Sequence, residues 1–232
     1  MMAVHDGPWP TGSLMARLSP ADRAALLELG TRVQFAHEQV LVRQGEPGLE
    51  LYVLLDGFVK VTFDTHNGTV LPLMVRGRGD LIGEFAVLDG QERTATVSAV
   101  GAVVAVRIGR SRFHDYLARH PQARSQIEAG VLAKTRLSIR RRIENRSLDA
   151  NAKVAGGLYD LATAYGEPVP EGVMIAVPVS QVVLGGMVDV GESTVERVLR
   201  KLREDGVVLT RYRRIVVRDM DALKDIRDGG TP

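Results

Sequence analysis

The amino-acid sequence predicts an α+β protein with an N-terminal β-roll of the jelly-roll type, a long dimerisation helix and a C-terminal winged helix-turn-helix. Three observations predict this fold. Glycines recur every 11 or 12 residues between short apolar strands in the first half. A stretch with few helix breakers follows, and two short helices then precede a basic hairpin. We divide the 232 residues into three parts, 1–110, 111–146 and 147–232.

Composition limits the classes of site that the chain can hold. Because the sequence has no cysteine, disulfides, cysteine nucleophiles, cysteine-held iron–sulfur clusters and thiolate zinc sites are excluded. The formal net charge is only +2, although a pI near 9.0 leaves room for a local basic patch. No apolar run suits a signal peptide or a membrane helix. We therefore expect a cytoplasmic protein without membrane association, with a flexible lead-in over residues 1–12.

Short apolar segments in the first half indicate strands. They cover residues 51–55, 58–63, 69–75, 95–100 and 103–108, at intervals typical of a sandwich or barrel. Tight hairpins are predicted at Asp56-Gly57, Asn67-Gly68 and Asp89-Gly90. Upstream, Ser19 is a suitable N-cap and Pro20 a suitable first residue for a short amphipathic helix.

The stretch from Gly83 to Ala95 contains the residues best suited to bind a ligand. It places the carboxylate of Glu84, the guanidinium of Arg93 and the hydroxyl of Thr94 around a short turn that contains glycine. An arginine beside a hydroxyl and backbone N–H groups favours an anion, and a carboxylate accepts hydrogen bonds from sugar hydroxyls. This combination indicates a nucleotide. On these residues alone, an Arg–Glu salt bridge beside a turn is the alternative.

A long helix is predicted from Ser111 to Asn145, with one interruption at His120-Pro121. Apolar residues recur along it at steps of three and four and form a narrow stripe, which is typical of a two-helix seam. Ser138 is a polar residue in that stripe, where it would specify the register or contact a ligand. The basic C-terminal end is equally explained by a solvated helix face. Asp149 is a natural N-cap for the next helix, and we place the domain boundary there.

The second half has the pattern of a DNA-binding domain. We expect a helix over residues 150–165, a loop over 167–172 and a strand over 173–177. Two helices over 180–188 and 192–204 follow, with the apolar spacing of a helix-turn-helix. A hairpin over 207–217 carries three arginines and a tyrosine at its tip, which suits contact with DNA phosphates.

In combination these motifs resemble those of the CRP/FNR family, the cyclic-AMP receptor protein regulators. The resemblance covers about residues 14–225 and includes Gly83-Glu84-Phe85-Ala86, Arg93-Thr94-Ala95, the long helix and the winged helix-turn-helix in the family's order. It implies that the β-roll is like a cyclic-nucleotide-binding domain. It also implies a DNA-binding regulator that is a homodimer and not an enzyme.

The resemblance gives each residue of the phosphate-binding cassette a role. Glu84 is expected to bind the ribose 2′-hydroxyl, and Arg93 and Thr94 are expected to bind the cyclic phosphate. Cyclic AMP is the expected allosteric ligand, and no obligatory cofactor is implied. The full set of expected ligand contacts is Gly83, Glu84, Phe85, Ala86, Arg93, Thr94, Ala95, Ser138 and Ile139.

Two positions on the long helix bear on the choice of nucleotide. Ser138 falls where cyclic-AMP binders carry a hydroxyl that reaches the adenine amino group. Ile139 stands where the cyclic-AMP receptor protein has a second hydroxyl, which crosses from the partner subunit. This departure leaves the affinity for cyclic AMP and the identity of the nucleotide open.

The recognition helix departs further from the family pattern. Many members begin this helix with Arg then Glu, whereas this chain has Glu192 then Ser193, so we expect an operator other than the well-known family palindrome. Arg197 keeps the position of the last base-contacting arginine, and an arginine can hold guanine bidentately. The expected DNA contacts are Ser180, Glu192, Ser193, Thr194, Arg197, Arg200, Arg211, Arg213 and Arg214.

The resemblance also implies partners and a mechanism. The partners are double-stranded DNA with a pseudo-palindromic operator, a second copy of the chain and RNA polymerase. A bound nucleotide would bias the long helices and the hinge near residues 147–149, and the DNA-binding domains would then rotate into register.

Other interpretations stay open. The regulator could respond to another effector or to none, although the lack of cysteine excludes an iron–sulfur sensor and no clear axial pair indicates haem. A cupin-like metalloenzyme would hold its metal with histidines, but the five histidines form no H-x-H or H-x-x-x-H pair, and we expect no metal site. A structural dimer that has lost DNA binding is disfavoured by the basic hairpin.

Overall fold

The computed structural model describes residues 7–10, 12–211 and 214–229. Within the long helix, the side chains of residues 137, 138, 140–142 and 144–146 also lie outside the description. The chain divides into two compact units, one that ends at Arg136 and one that begins at Leu137. Each unit is described by itself.

The first unit is a β-roll with helices before, between and after its strands. Its helices are α1 (Leu14–Arg17), α2 (Pro20–Glu28), α3 (Glu84–Asp89) and α4 (Arg110–Arg119), and α5 (Pro121–Ser147) continues into the second unit. Its strands are β1 (Thr31–Phe35), β2 (Val40–Val42), β3 (Glu50–Asp64), β4 (Val70–Arg76), β5 (Leu81–Ile82) and β6 (Thr96–Gly109).

The strands pair antiparallel in the order β1-β6-β3-β4, while β2 pairs with β6 and β5 pairs with β3. Two clusters of buried side chains stabilise the roll. One lies between the strands and includes Leu54, Val59 and Ala99. The other joins the sheet to the helices and includes Met15 and Phe113. The predicted β-roll is therefore confirmed.

Only one of the three predicted hairpins forms where the sequence indicated it. Asn67-Gly68 lies in the turn between β3 and β4, as predicted. Asp56-Gly57 instead lies inside β3 at a shift of register, so the predicted strands 51–55 and 58–63 are one strand. Gly57 has a φ of +80°, and a Cβ there would lie 2.3 Å from the carbonyl oxygen of Ala102, so a bulge and a close approach require this glycine. The predicted strands 95–100 and 103–108 are likewise one strand, β6.

The third predicted hairpin, at Asp89-Gly90, is also wrong. Residues Glu84–Asp89 form the helix α3, and Gly90 is its C-cap in the left-handed conformation. The supposed turn around Glu84 is thus a short helix that begins directly after Gly83. The sequence did not reveal it because six residues are too few for a helical period to stand out against flanking strands.

The N-terminal segment contacts the roll, which contradicts the predicted flexible lead-in over its described residues. Arg78 donates hydrogen bonds to the carbonyl oxygens of Gly7 and Pro8, both at 2.7 Å. The same guanidinium lies 4.2 Å from the ring centroid of Trp9. Farther on, the predicted caps are confirmed, since Ser19 accepts a hydrogen bond from the backbone of Asp22 and precedes α2.

The helices between the β-roll and the second half agree with the predicted interruption. Helix α4 ends at Arg119, His120 is its C-cap, and α5 begins at Pro121. The hydroxyl of Tyr116 donates a hydrogen bond to the carbonyl oxygen of Asp22, and His120 Nδ1 lies 2.8 Å from Asp22 Oδ1. These contacts fasten α4 to α2.

The second unit is a winged helix-turn-helix. Its helices after α5 are α6 (Ala150–Tyr165), α7 (Gln181–Val188), α8 (Glu192–Glu204) and α9 (Met220–Arg227). Its strands are β7 (Gly166–Val169), β8 (Gly172–Ile175), β9 (Val208–Arg211) and β10 (Arg214–Val217), in the order β7-β8-β10-β9. Asp149 caps α6 as predicted, since its carboxylate accepts a hydrogen bond from the backbone of Ala152.

Two features of this unit differ from the sequence prediction. The predicted loop over residues 167–172 includes most of the strand β7, which pairs with β8 despite Pro168 because β7 is an edge strand. Helix α9 was not predicted, although it begins at an N-cap aspartate, Asp219, and buries Leu223 and Ile226. It packs on α6. Among the described residues, no helix is both long and apolar enough to cross a membrane.

Candidate functional sites in the two units

The cassette predicted at Gly83 to Ala95 brings two buried charges together. Glu84 is 4% exposed and Arg93 is 6% exposed. Arg93 Nη1 donates to the carbonyl oxygen of Gly83 at 2.7 Å, and Nη2 donates to the carbonyl oxygen of Glu50. Burial lowers the pKa of Arg93 from its ordinary value, while nearby acidic groups oppose that shift. Buried charges that lie together are uncommon unless they stabilise the fold or serve a ligand.

Gly83 makes this arrangement possible. It is the N-cap of α3 and has a φ of +82°, a conformation that favours glycine. A Cβ at this position would lie 2.4 Å from Arg93 Nη1. The guanidinium can therefore reach the backbone only because residue 83 has no side chain.

A residue from the long helix completes the cassette. Lys134 Nζ lies 2.6 Å from Glu84 Oε1 and 3.2 Å from the carbonyl oxygen of Leu81. The Glu84 side chain is 6% exposed and the Lys134 side chain is 21% exposed. The sequence prediction placed Lys134 only in the basic run at the end of the helix. Nothing in the sequence indicated that it would pair with an acid 50 positions away.

A second acid near Arg93 is Glu50. The Tyr52 hydroxyl donates to Glu50 Oε1 at 2.5 Å, and Arg107 Nε lies 3.7 Å from Glu50 Oε2. Burial and this carboxylate raise the pKa of Tyr52 above its ordinary value. Glu50 was not among the predicted site residues because it lies in β3, far from the cassette in the chain.

The other expected ligand contacts are placed as follows. Thr94 is exposed, Phe85 and Ala95 are half-buried, and Ala86 is buried against Gly48. Ser138 and Ile139 belong to the second unit. Ile139 is 56% exposed, whereas the side chain of Ser138 lies outside the described part of the chain.

Helix α8 presents a polar face to solvent. Val195, Val198, Leu199 and Leu202 are buried against the rest of the unit. Glu192, Ser193, Arg197 and Arg200 are exposed, and Thr194 is half-buried. Arg200 Nη2 lies 3.4 Å from Glu196 Oε1, one helical turn away. This face therefore offers two carboxylates, two hydroxyls and two guanidinium groups to a partner.

The wing is linked to α8 and to a neighbouring turn. Arg203 Nη1 donates to the Thr210 hydroxyl at 3.2 Å, which ties α8 to β9. Arg211 Nη2 donates to Glu171 Oε1 at 2.8 Å. Arg214 is exposed and its Nη1 lies 3.6 Å from the sulfur of Met174.

The two remaining expected DNA contacts are Arg213 and Ser180. Arg213 lies outside the described residues. Ser180 is exposed and is the N-cap of α7, where its hydroxyl accepts a hydrogen bond from the backbone of Val183 at 3.2 Å.

Two family models match the chain. The model of the cyclic nucleotide-binding domain matches residues 32–120, and that of the Crp-like helix-turn-helix domain matches residues 152–226. Together these matches cover more than half of the chain. The chain belongs to the CRP/FNR family. It is therefore a DNA-binding transcription regulator with a cyclic nucleotide-binding domain, and its relatives are regulators, not enzymes.

Similar proteins in the CRP/FNR family span nearly the same length. A CRP-like cAMP-activated global transcriptional regulator of Mycobacterium tuberculosis is 23% identical over 206 residues, which is 89% of this chain and 92% of the relative. FixK2 from Bradyrhizobium japonicum shares the fold with a TM-score of 0.76 and 19% identity, over 85% of this chain and 96% of that chain. The c-di-GMP responsive global regulator CLP of Xanthomonas campestris does so with a TM-score of 0.67 and 23% identity, over 87% and 100%.

A metal centre was not expected in this CRP/FNR protein. Among the described residues, no group of three or more histidine, aspartate or glutamate side chains is placed to hold a metal ion. His120 contacts Asp22, and His114 Nε2 lies 2.9 Å from the carbonyl oxygen of Val87. These two histidines thus contact other residues of the first unit.

Proposed function

We propose that this regulator binds a cyclic nucleotide in the β-roll, with cyclic AMP as the first candidate, and that binding controls how a homodimer engages DNA. The juxtaposition of Glu84 and Arg93 around Gly83 carries the proposal. A guanidinium suits the cyclic phosphate, and a carboxylate suits a ribose hydroxyl. The relative in Mycobacterium tuberculosis, named as cAMP-activated, supports cyclic AMP as the first candidate.

In the proposed complex the residues of the site contact different parts of the nucleotide. Arg93 gives up a backbone partner to pair with the phosphate, and Thr94 adds a hydroxyl from an exposed position. Glu84 holds the sugar, and Gly83, Phe85, Ala86 and Ala95 form the close backbone and walls. By the family resemblance we assign to Ser138 the hydroxyl for the base, whereas Ile139 has no hydroxyl to offer it.

A second candidate is a CRP/FNR regulator that answers to another effector or to none. The observation that favours it is that both cassette charges already have partners within the fold, Arg93 on two carbonyl groups and Glu84 on Lys134. A ligand must therefore replace these contacts. The regulator CLP, described as c-di-GMP responsive, shares the fold, so one fold serves more than one nucleotide.

The proposed DNA-binding form is a homodimer through α5 that acts in the cytoplasm and meets RNA polymerase at promoters. A two-fold dimer would place its recognition helices roughly 34 Å apart and read a pseudo-palindromic operator. Leu132, Ile139 and Ile143 are exposed on α5 and support the helix seam. Ligand binding would shift the equilibrium between two arrangements of the dimer, provided that the ligand binds them with different affinity.

Isothermal titration of the purified protein with cyclic AMP, and with cyclic GMP for comparison, tests the proposed ligand. We expect micromolar or tighter binding of cyclic AMP that Arg93→Ala abolishes. Arg43→Ala is the matched control, because Arg43 is an exposed arginine of the same unit and should leave binding unchanged. If neither nucleotide gives heat while the protein still binds DNA, the second candidate replaces the first.

A further inference from the structure

A carboxylate lies against the wing of the DNA-binding unit. Glu171, in the turn between β7 and β8, accepts a hydrogen bond from Arg211 Nη2 at 2.8 Å. Arg211 is the last residue of β9 and leads into the wing tip. The two residues lie 40 positions apart in the chain, so the fold makes this contact. Neither the sequence pattern nor the proposed DNA contacts account for Glu171.

The wing concentrates positive charge where Glu171 meets it. Arg214 stands directly opposite Arg211 in the β9–β10 register, and like charges on facing positions repel each other. The sequence adds Arg213 between them. The described partner of Arg214 is the neutral sulfur of Met174, so Glu171 supplies a negative charge that the hairpin itself lacks.

The ion pair between Arg211 and Glu171 is too exposed to add much to the stability of the folded unit. The Arg211 side chain is 62% exposed and the Glu171 side chain is 39% exposed. Ion pairs at such positions contribute little to folding because water screens them. A hydrogen bond from its own backbone and then the guanidinium of Arg211 lower the pKa of Glu171, so the carboxylate is ionised at neutral pH.

We propose that Glu171 restrains the wing from binding DNA phosphates by neutralising Arg211 in the free protein. The proposal rests on the proposed contact between the wing and the DNA backbone. To meet a phosphate, Arg211 must leave Glu171, and the carboxylate then lies near the polyanion. Both effects weaken binding to every sequence alike, because phosphates carry no base information. The protein then depends more on its base contacts to hold an operator.

Removing only the charge of Glu171 tests this restraint. Affinity of the full-length protein for a labelled DNA duplex of arbitrary sequence is measured by fluorescence anisotropy over a series of salt concentrations. We expect Glu171→Gln to tighten binding by about three- to tenfold at low salt and to steepen the plot of log affinity against log salt by about 0.9, one phosphate contact. Glu167→Gln is the matched control, since Glu167 is an exposed acid of the same hairpin.

The arms of the experiment separate the restraint from the wing contact itself. Arg211→Gln should weaken binding, and adding Glu171→Gln to Arg211→Gln should tighten it by less than Glu171→Gln does alone, because only the repulsion between the carboxylate and the phosphates is then removed. If Arg211→Gln has no effect, the proposed wing contact fails. If Arg211→Gln weakens binding but Glu171→Gln equals Glu167→Gln, the restraint is overturned. It is equally overturned if Glu171→Gln weakens binding, because Glu171 would then orient Arg211 toward DNA. Circular dichroism confirms that each variant is folded.

Discussion

Lys134 Nζ lies 2.6 Å from Glu84 Oε1, and this ion pair joins the long helix α5 to the start of α3. Both partners are largely removed from water, with 21% and 6% of their side chains exposed. Glu84 is also the carboxylate that we propose for the ribose. A sugar hydroxyl that reaches Glu84 therefore competes with, or joins, the ammonium group of α5. One carboxylate thus links the proposed ligand to the helix that leads to the DNA-binding unit.

Breaking this pair should destabilise the first unit. Lys134→Met leaves Glu84 buried without its counter-ion, and we expect a loss of about 2–4 kcal/mol in the free energy of unfolding, measured with urea. Adding Glu84→Gln should restore part of that loss. Arg124→Met is the control on the same helix, because the exposed Arg124–Glu128 pair should cost under about 0.5 kcal/mol. Equal losses for Lys134→Met and Arg124→Met would show that the Lys134–Glu84 pair is weak.

Gly83 should be less replaceable than another glycine of the same conformation. Gly83→Ala and Gly101→Ala both place a side chain at a left-handed residue, with φ of +82° and +84°, which costs about 1–2 kcal/mol. At Gly101 nothing lies within 4 Å of the new Cβ, whereas at Gly83 the Cβ would displace Arg93. We therefore expect Gly83→Ala to lose more stability and to lose nucleotide binding as well. Similar thermal unfolding and similar titration heats for the two variants would contradict this expectation.

Much of the fold follows from local patterns in the sequence. The caps at Ser19 and Asp149, the break at Pro121 and the amphipathic α8 were predicted because each depends on neighbours within one helical turn. Glycines that follow an aspartate gave wrong hairpin predictions where tertiary packing determined the backbone conformation. Gly57 and Gly90 look like hairpin glycines, yet one marks a bulge in β3 and the other ends α3.

The candidate site was predictable only in part. Glu84 and Arg93 were found because they lie nine residues apart in a recognisable motif. Lys134, Glu50 and Glu171 were not found, since each meets its partner through contacts between elements distant in the chain. No local period or cap marks such a residue.

Alkaline pH should weaken the contact of α4 with α2 through Tyr116. Burial and then the charge of Asp22 raise the pKa of Tyr116 to about 12. Because the folded pKa lies above the unfolded value of about 10, the stability from Tyr116 is complete below pH 10 and is lost as the pH rises through about 12. Tyr116→Phe should cost about 1 kcal/mol at pH 8, and the fall in stability toward pH 11 should be shallower than in the unmodified protein.

Urea unfolding at the two pH values measures this effect. Tyr159→Phe is the control, because Tyr159 lies in the second unit under the guanidinium of Arg227. A fall as steep in Tyr116→Phe as in the unmodified protein would assign the alkaline sensitivity to other groups.

Two arginines of the DNA-binding unit should have separable effects. Arg197 is exposed on α8, and Arg214 is exposed at the start of β10. We expect Arg214→Ala to weaken binding to all sequences and to flatten the salt dependence by about 0.9 in slope, because a phosphate contact is lost. Arg197→Ala should reduce discrimination between an operator selected from random DNA and unselected DNA by about 1–3 kcal/mol. Equal loss on both DNAs in the Arg197 variant would place Arg197 on the backbone instead.

The exposed stripe of α5 should hold the dimer together. Leu132, Ile139 and Ile143 are each more than half exposed, at spacings of seven and four residues that place them on one helical stripe. Ile143→Glu introduces a charge at this seam and, by two-fold symmetry, a second charge beside it, so we expect dissociation to monomers in sedimentation experiments.

Leu49→Glu is the control, because Leu49 is 69% exposed but precedes β3 in the first unit and should leave the dimer intact. A monomer should also lose most of its affinity for a palindromic operator, because only one recognition helix can bind at a time. Retention of the dimer in Ile143→Glu would show that α5 is not the subunit interface.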